Sequence, residues 1–170
     1  MKKFGSTGIK VLKIIHLVFA GLWLSGAITL VLMFFALGPG KSNGEILGYV
    51  LSMKFVDDAI VIPGALGSLL SGILISVFTN WGFFKHRWVT IKYVLTVAGI
   101  LVGTFVLGPR VNAQPGLAET LGMAAPGDPG YASNLGLCRF IGPIMVTNML
   151  FMVAISVLKP WKKKKKAEAA

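Results

Sequence analysis

Four long apolar runs dominate the pattern of hydrophobic and polar positions along the chain. Backbone groups in lipid must be hydrogen-bonded internally, so a run of about 20 apolar residues predicts a membrane-spanning helix. The runs cover approximately residues 11–37, 56–80, 88–107 and 138–158. Pro39, Pro109 and Pro160 follow three of these runs, and a proline in that position is a typical helix stop. The pattern predicts one all-α domain over residues 1–170, a four-transmembrane-helix up-and-down bundle.

Composition and charge support a membrane protein and argue against a nucleic-acid partner. The mean hydropathy is +0.76, and 14% of the residues are charged, whereas soluble domains carry about 25%. The net charge is +11, but four of the 17 basic residues lie in the first 13 positions and six in the last 12. Basic residues placed beside apolar runs are a topology signal. The surface of the chain is therefore expected to contact membrane lipid.

The distribution of basic residues also predicts the orientation of the chain. Twelve of them fall on one side of the predicted membrane and four on the other, with Lys92 inside the third run. The positive-inside rule then places both termini in the cytoplasm (N-in/C-in), in a multi-pass protein of the bacterial cytoplasmic (inner) membrane. The basic tail 159–170 is either a solvated topology signal or lies on anionic headgroups.

The segments between the runs carry further expectations. Residues 109–137 are rich in proline and glycine and predict an outer loop, which either connects two spans or caps an external pocket. The stretch Leu117–Met123 could form a short helix within it. The tight turn from Trp81 to Arg87 predicts that the second and third spans pack as an antiparallel hairpin, and Pro63 predicts a kink in the second span.

Small residues recur at four-residue spacing in the second run. Gly64, Ser68, Gly72 and Ser76 would share one helix face, and such a face lets two helix backbones approach closely. The third run contains a similar pair, Gly99 and Gly103. These residues either pack helices together within the chain or form a docking face for another membrane subunit.

Two ionisable side chains, His16 and Lys92, lie inside predicted spans, where they usually face the bundle interior or a cavity. Both lie one to two helical turns from the predicted inner surface, so they could share a site. Trp23 follows His16 by seven residues and lies on the same helix face. This stripe could form a slot for a haem, with His16 ligating the iron and Lys92 pairing with a propionate. Alternatively, His16 bonds a neighbouring helix and Lys92 extends to the headgroups.

Longer motifs carry a resemblance to known families. The segment WGFFKHRWVTIKYVLTVAGILVGTFVLGP, from Trp81 to Pro109, resembles a bacterial family of predicted integral membrane proteins of unknown function. A more distant resemblance, to HemJ-type protoporphyrinogen oxidases and CopD-like membrane proteins, rests on these residues: His16, Trp23 and Gly26; Trp88 and Lys92; Arg139; Lys159-Pro160-Trp161. It implies that His16 is an axial haem ligand and Lys92 a propionate or substrate contact. Gly142-Pro143 departs from that pattern, which has an Asn-Glu pair there.

The sequence therefore leads to three functional hypotheses. The first is a haem b-binding membrane protein for redox chemistry or haem handling, with His16, Trp23 and Lys92 at the cofactor and Lys13 or Arg87 also holding propionates. The second is a non-catalytic accessory subunit of a larger membrane complex, or a homo-oligomer. The third is a CopD-like accessory protein for a small molecule or metal. No catalytic residue is assigned, and whether the protein is an enzyme is left open.

Overall fold

A computed structural model describes residues 5–37, 41–79, 82 and 86–159, and nearly all of them are helical. The four helices are α1 (Ser6–Ala36), α2 (Asn43–Phe78), α3 (Arg87–Gly127) and α4 (Pro129–Leu158), and each is long and apolar enough to cross a membrane. This confirms the four-span all-α prediction. We call the end where α1 and α3 begin the inner end and the opposite end the outer end. The cytoplasmic location of the inner end stays a prediction, and most of the basic tail and of the Trp81–Arg87 turn lies outside the described residues.

Helix α2 begins much earlier than the predicted residue 56. A capping box starts it at Ser42, whose backbone N–H donates to Glu45 Oε2 at 2.7 Å while its own hydroxyl oxygen accepts from the Glu45 N–H at 3.4 Å. Such a box satisfies two backbone donors that a helix start leaves unpaired. As a result, Asp57 and Asp58 lie in the middle of α2 instead of at its start.

The predicted loop at 109–137 is wrong, because α3 continues through Pro109 to Gly127 and α4 begins at Pro129. The π-helical segment Gly103–Leu107 precedes this proline, and the Gly108 N–H bonds to the Gly103 carbonyl. Pro109 thus falls in the first turn of a restarted α-helical segment, where its missing N–H costs least. The α-helical part ends at Leu121, where Gly122 has φ +54°, and a 3-10 segment, Gly122–Gly127, completes α3.

Helix α2 repeats this arrangement around its own proline. The π-helical segment Asp57–Val61 is closed by a bond from the Ile62 N–H to the Asp57 carbonyl, and Pro63 follows in the first turn of the next α-helical segment. Both long helices therefore run through a proline without ending, so each has an inner and an outer part.

The outer parts of α2 and α3 pack against each other and against the beginning of α4. Their buried side chains form the largest core of the described chain, together with the end of α1: Phe34, Leu37, Ile46, Val50, Met53, Val111, Ala118, Tyr131 and Cys138. By contrast, the inner parts of α2 and α3 make little contact. The predicted α2–α3 hairpin is thus packed mainly at its outer end, because the inner part of α2 packs on α1; a hydrogen bond from the Tyr93 hydroxyl to Ser76 Oγ at 3.3 Å joins the inner parts.

The small residues of α2 allow this close packing on α1. A Cβ atom added to Gly64 would lie 2.6 Å from the Trp23 backbone nitrogen, and Ser68 and Ser76 are buried. A Cβ added to Gly72 would meet the His16 ring at 3.5 Å. The expectation that this stripe packs helices within the chain is confirmed. The alternative prediction, that the same stripe forms a docking face for another subunit, is wrong because α1 covers the stripe.

Arg139 of α4 fixes the outer end of α1. Its Nε donates to the Phe34 carbonyl at 2.8 Å, and its Nη2 donates to the Leu37 carbonyl at 2.5 Å. The last carbonyls of a helix have no partner within the helix. The guanidinium satisfies two of them and so ties α1 to α4.

Candidate functional site: a lateral cavity between the helices

A cavity of about 360 Å³ lies among all four helices, outward of Trp23. Trp23, Ala65, Gly99 and Met149 line its inner end, and Phe34 and Val111 line its outer part. The cavity is therefore walled mainly by aromatic and aliphatic side chains at the level of the predicted membrane.

Small residues keep this space open. Gly103 lines the cavity, and a Cβ added to it would meet no atom within 4 Å. Gly142 also lines it but is tightly packed, since its added Cβ would lie 2.9 Å from Val31 Cγ2. Gly103 is thus a place where a larger side chain would enter the cavity without first striking a neighbour.

The cavity opens sideways between α2 and α3. Ile62 and Leu66 on α2 line it and are 44% and 48% exposed, and Thr104 on α3 lines it and is exposed as well. The inner parts of these two helices make little contact, which leaves a gap at this position. In a membrane, this opening faces the lipid.

The outer end of the cavity is polar. Asp57 and Asn112 both belong to its lining. Lys54 Nζ donates to Asn112 Oδ1 and to Asp58 Oδ2, each at 2.7 Å. Within the described ranges, the half-buried Asp57 carboxylate makes no hydrogen bond or ion pair. Its oxygens are therefore acceptors with no partner among the described residues.

His16 lies about two turns inward of Trp23 and does not line the cavity. Its Nδ1 is 3.0 Å from Ser71 Oγ, and that hydroxyl donates to the Gly67 carbonyl at 2.5 Å. This is the contact with a neighbouring helix that the sequence left open as an alternative.

Lys92 is also separate from the cavity. Its Nζ donates to Ser156 Oγ of α4 at 2.7 Å. The ammonium is close enough to act electrostatically on the His16 imidazole, which agrees with the predicted common depth. Lys13 and Arg87 are exposed on the surface.

The predicted haem residues do not surround one slot. Trp23 lines the cavity, but His16 and Lys92 do not, and no other histidine belongs to its lining. A haem in this cavity could not take His16 as an axial ligand, so the residues do not fit the group there. Haem b binding stays a prediction from the sequence.

Asp57, Asn112 and Gly103 were not singled out by sequence reasoning as site residues. The second apolar run begins at residue 56 and places Asp57 at a helix start, and the predicted loop 109–137 includes Asn112. The sequence offers one signal for this site. An acid, Asp57, stands at the outer end of the second apolar run, and Gly108-Pro109 stands at the outer end of the third. It indicates a site between the two helices only when α2 and α3 are known to continue past these positions toward the outer end.

The fold and the cavity define a multi-pass integral membrane protein with a lateral intramembrane cavity. The chain belongs to the family described as predicted integral membrane protein (DUF2269), whose model matches residues 10–160. No curated protein and no solved structure matches the chain. The distant resemblance to HemJ-type and CopD-like proteins stays a prediction.

Proposed function

We propose that this protein binds a small amphipathic molecule that enters from the lipid phase, with an apolar body and an amine or hydroxyl head. The observation that carries this proposal is the cavity itself, which is open to lipid at the side and polar at one end. Pockets for small molecules in proteins typically measure about 300–1,000 Å³ and combine apolar walls with a few polar groups. This cavity has the same combination.

The walls suit the apolar body of such a ligand. Trp23 is 5% exposed and forms the inner end, while Leu30 and Val31 are among the aliphatic side chains further out. The surrounding lipid is as apolar as the cavity walls, so moving the ligand from lipid into the cavity gains no hydrophobic free energy. The affinity of the walls for the ligand comes chiefly from shape and dispersion contacts. A ligand therefore needs a polar group to be held more firmly in the cavity than in the bilayer.

The polar end of the cavity supplies the contacts that hold such a polar group more firmly than the bilayer does. A carboxylate is an acceptor only, so Asp57 would pair with a head that donates hydrogen bonds, and most strongly with a cationic amine. Lys54 already holds Asn112 and Asp58, which places the Asn112 amide beside the head. An anionic head would be repelled by Asp57. The expected ligand class is consequently an amine or alcohol with an apolar chain or ring.

Fluorescence of Trp23 tests the proposal directly. The other tryptophans, Trp81, Trp88 and Trp161, are replaced by phenylalanine, so that Trp23 alone reports. The protein is reconstituted in bilayers and titrated with a brominated long-chain amine, whose bromine quenches a ring that it touches. Because Trp23 is buried, saturable quenching requires entry into the cavity.

Matched variants decide the outcome. Gly103→Leu fills the open space and is expected to abolish the saturable quenching, whereas Gly21→Leu, at an exposed glycine with nothing nearby, leaves it intact. Asp57→Asn is expected to weaken the amine about tenfold or more and to affect the matching brominated alcohol less, because a charged hydrogen bond is worth about 1.5–3 kcal/mol. Equal quenching in the Gly103 and Gly21 variants would refute the proposal.

A further inference from the structure

The inner ends of α3 and α4 are joined by two contacts that each involve a lysine. Lys92 Nζ donates to Ser156 Oγ at 2.7 Å, and Lys159 Nζ lies 5.9 Å from the centre of the Trp88 ring. Trp88 and Lys92 are one turn apart on α3, and Lys159 directly follows the last residue of α4, three residues after Ser156. These four residues form what we call the basic notch.

The basic notch contains no acidic side chain, and none is close to it along the described helices. The five acids in the described ranges lie at the outer part of the bundle, in segments 45–58 and 119–128. The ion pair formed within those ranges, between Lys54 and Asp58, is there too. The half-buried Lys92 ammonium therefore has a hydroxyl partner but no carboxylate in the described chain.

An ammonium without a counter-charge is costly at the edge of an apolar phase, and such residues normally pair or mark a ligand path. Helical side chains incline toward the helix N-terminus, so Lys92 inclines toward the inner end of α3. The N-terminus of α3, which begins at Arg87, adds the partial positive charge of the helix dipole. Each of these features favours an anion at the same place.

We propose that the basic notch binds a phosphate group through Lys92, with Ser156 orienting the ammonium and Lys159 adding a second positive charge. The phosphate comes either from the headgroup of an anionic lipid or from a soluble phosphate compound. This site lies at the end of the bundle opposite to Asp57 and is independent of the cavity ligand.

The test compares lipid binding by the purified full chain in a detergent without phosphate. Native mass spectrometry measures the affinity for a short-chain phosphatidylglycerol and for the phosphatidylcholine of the same chain length. We expect tighter binding of the anionic lipid and a loss of about tenfold or more in Lys92→Gln, because a charge-assisted hydrogen bond is removed. Lys92→Arg retains the charge and is expected to keep most of the affinity.

Lys10→Gln is the matched control, since Lys10 is an exposed lysine on α1 near the same end of the bundle. It removes the same charge and is expected to change the affinity by less than about twofold, as a screened surface charge does. If Lys10→Gln and Lys92→Gln lower the affinity equally, the binding is general surface attraction and the proposal is overturned. It is overturned as well if neither changes it.

Two further arms complete the design. Competition with inorganic phosphate separates the sources: displacement assigns the notch to soluble phosphates, and resistance assigns it to lipid headgroups. Ser156→Ala keeps every charge and is expected to lower the affinity several-fold, so the proposal can be judged even if Lys92→Gln folds poorly. Gly103→Leu is expected to leave phosphate binding unchanged, which keeps this site distinguishable from the cavity.

Discussion

The contact between Gly64 and Trp23 predicts a large difference between two glycine-to-alanine substitutions. A Cβ at residue 64 would lie 2.6 Å from the Trp23 nitrogen and 2.9 Å from its Cα, whereas ordinary contacts begin near 3.4 Å. Both clashes are with backbone, so no side-chain rotation relieves them. Helices α1 and α2 would have to separate by roughly 0.8 Å along a tightly packed surface.

The magnitude follows from two opposing effects. Overpacking of a close interface costs about 1–3 kcal/mol, while alanine in place of glycine favours a helix by up to about 1 kcal/mol. Gly21 on the same helix as Trp23 is exposed with nothing within 4 Å, so Gly21→Ala shows the second effect alone. We expect the free energies of unfolding of the two variants to differ by about 1–3 kcal/mol, with Gly64→Ala the less stable.

The assay is reversible unfolding in mixed micelles, in which the fraction of SDS is raised and helix content is followed by circular dichroism. Both variants carry the same change in composition, so their difference isolates the helix contact. A difference below about 0.5 kcal/mol, which is within the usual effect of a surface substitution, would show that α1 and α2 do not approach as described.

Two further substitutions test the outer end of the bundle. Arg139→Gln is expected to lower the free energy of unfolding in the same assay by about 2–3 kcal/mol, because it leaves the carbonyls of Phe34 and Leu37 without their charged donor; a loss below about 0.5 kcal/mol would contradict this cap. Ser42→Ala removes the capping box with Glu45 and is expected to cost about 1 kcal/mol and to raise hydrogen exchange in the first turn of α2; unchanged exchange there would contradict it.

The number and positions of the spans could be predicted from the sequence because each apolar run exceeds the thickness of the hydrocarbon layer. The outer parts of α2 and α3 could not. Segment 43–56 contains Glu45 and Lys54, so local rules make α2 begin too late, and Gly108-Pro109 is an ordinary helix stop, so they make α3 end too early. Tertiary packing of Ile46, Val50 and Val111 against one another overrides those rules.

The site residues show the limits of helix periodicity. Seven residues place His16 and Trp23 on one face of α1, as predicted. The two side chains nevertheless have different surroundings: His16 contacts Ser71 of α2, whereas the Trp23 ring extends past α2 to lie against Gly99 of α3. A face of one helix is shared among several neighbours along its length, so the same face does not imply the same site. The cavity is formed by residues of all four helices, so no short segment of the sequence predicts it.

The π-helical segments of α2 and α3 have a consequence for the tolerance of the chain to insertions and deletions. Each residue of a helix turns it by about 100°, so the number of residues in Gly103–Leu107 decides which side of the outer segment Gly108–Leu121 points at its neighbours. The bond from the Gly108 N–H to the Gly103 carbonyl spans five residues, one more than in an α-helix. Losing one residue there would restore α-helical bonding and leave Val111 and Ala118 facing the core that they now fill, whereas adding one would turn them away by about 100°. The length of this short segment thus fixes the rotation of the outer segment Gly108–Leu121 relative to the inner part of α3.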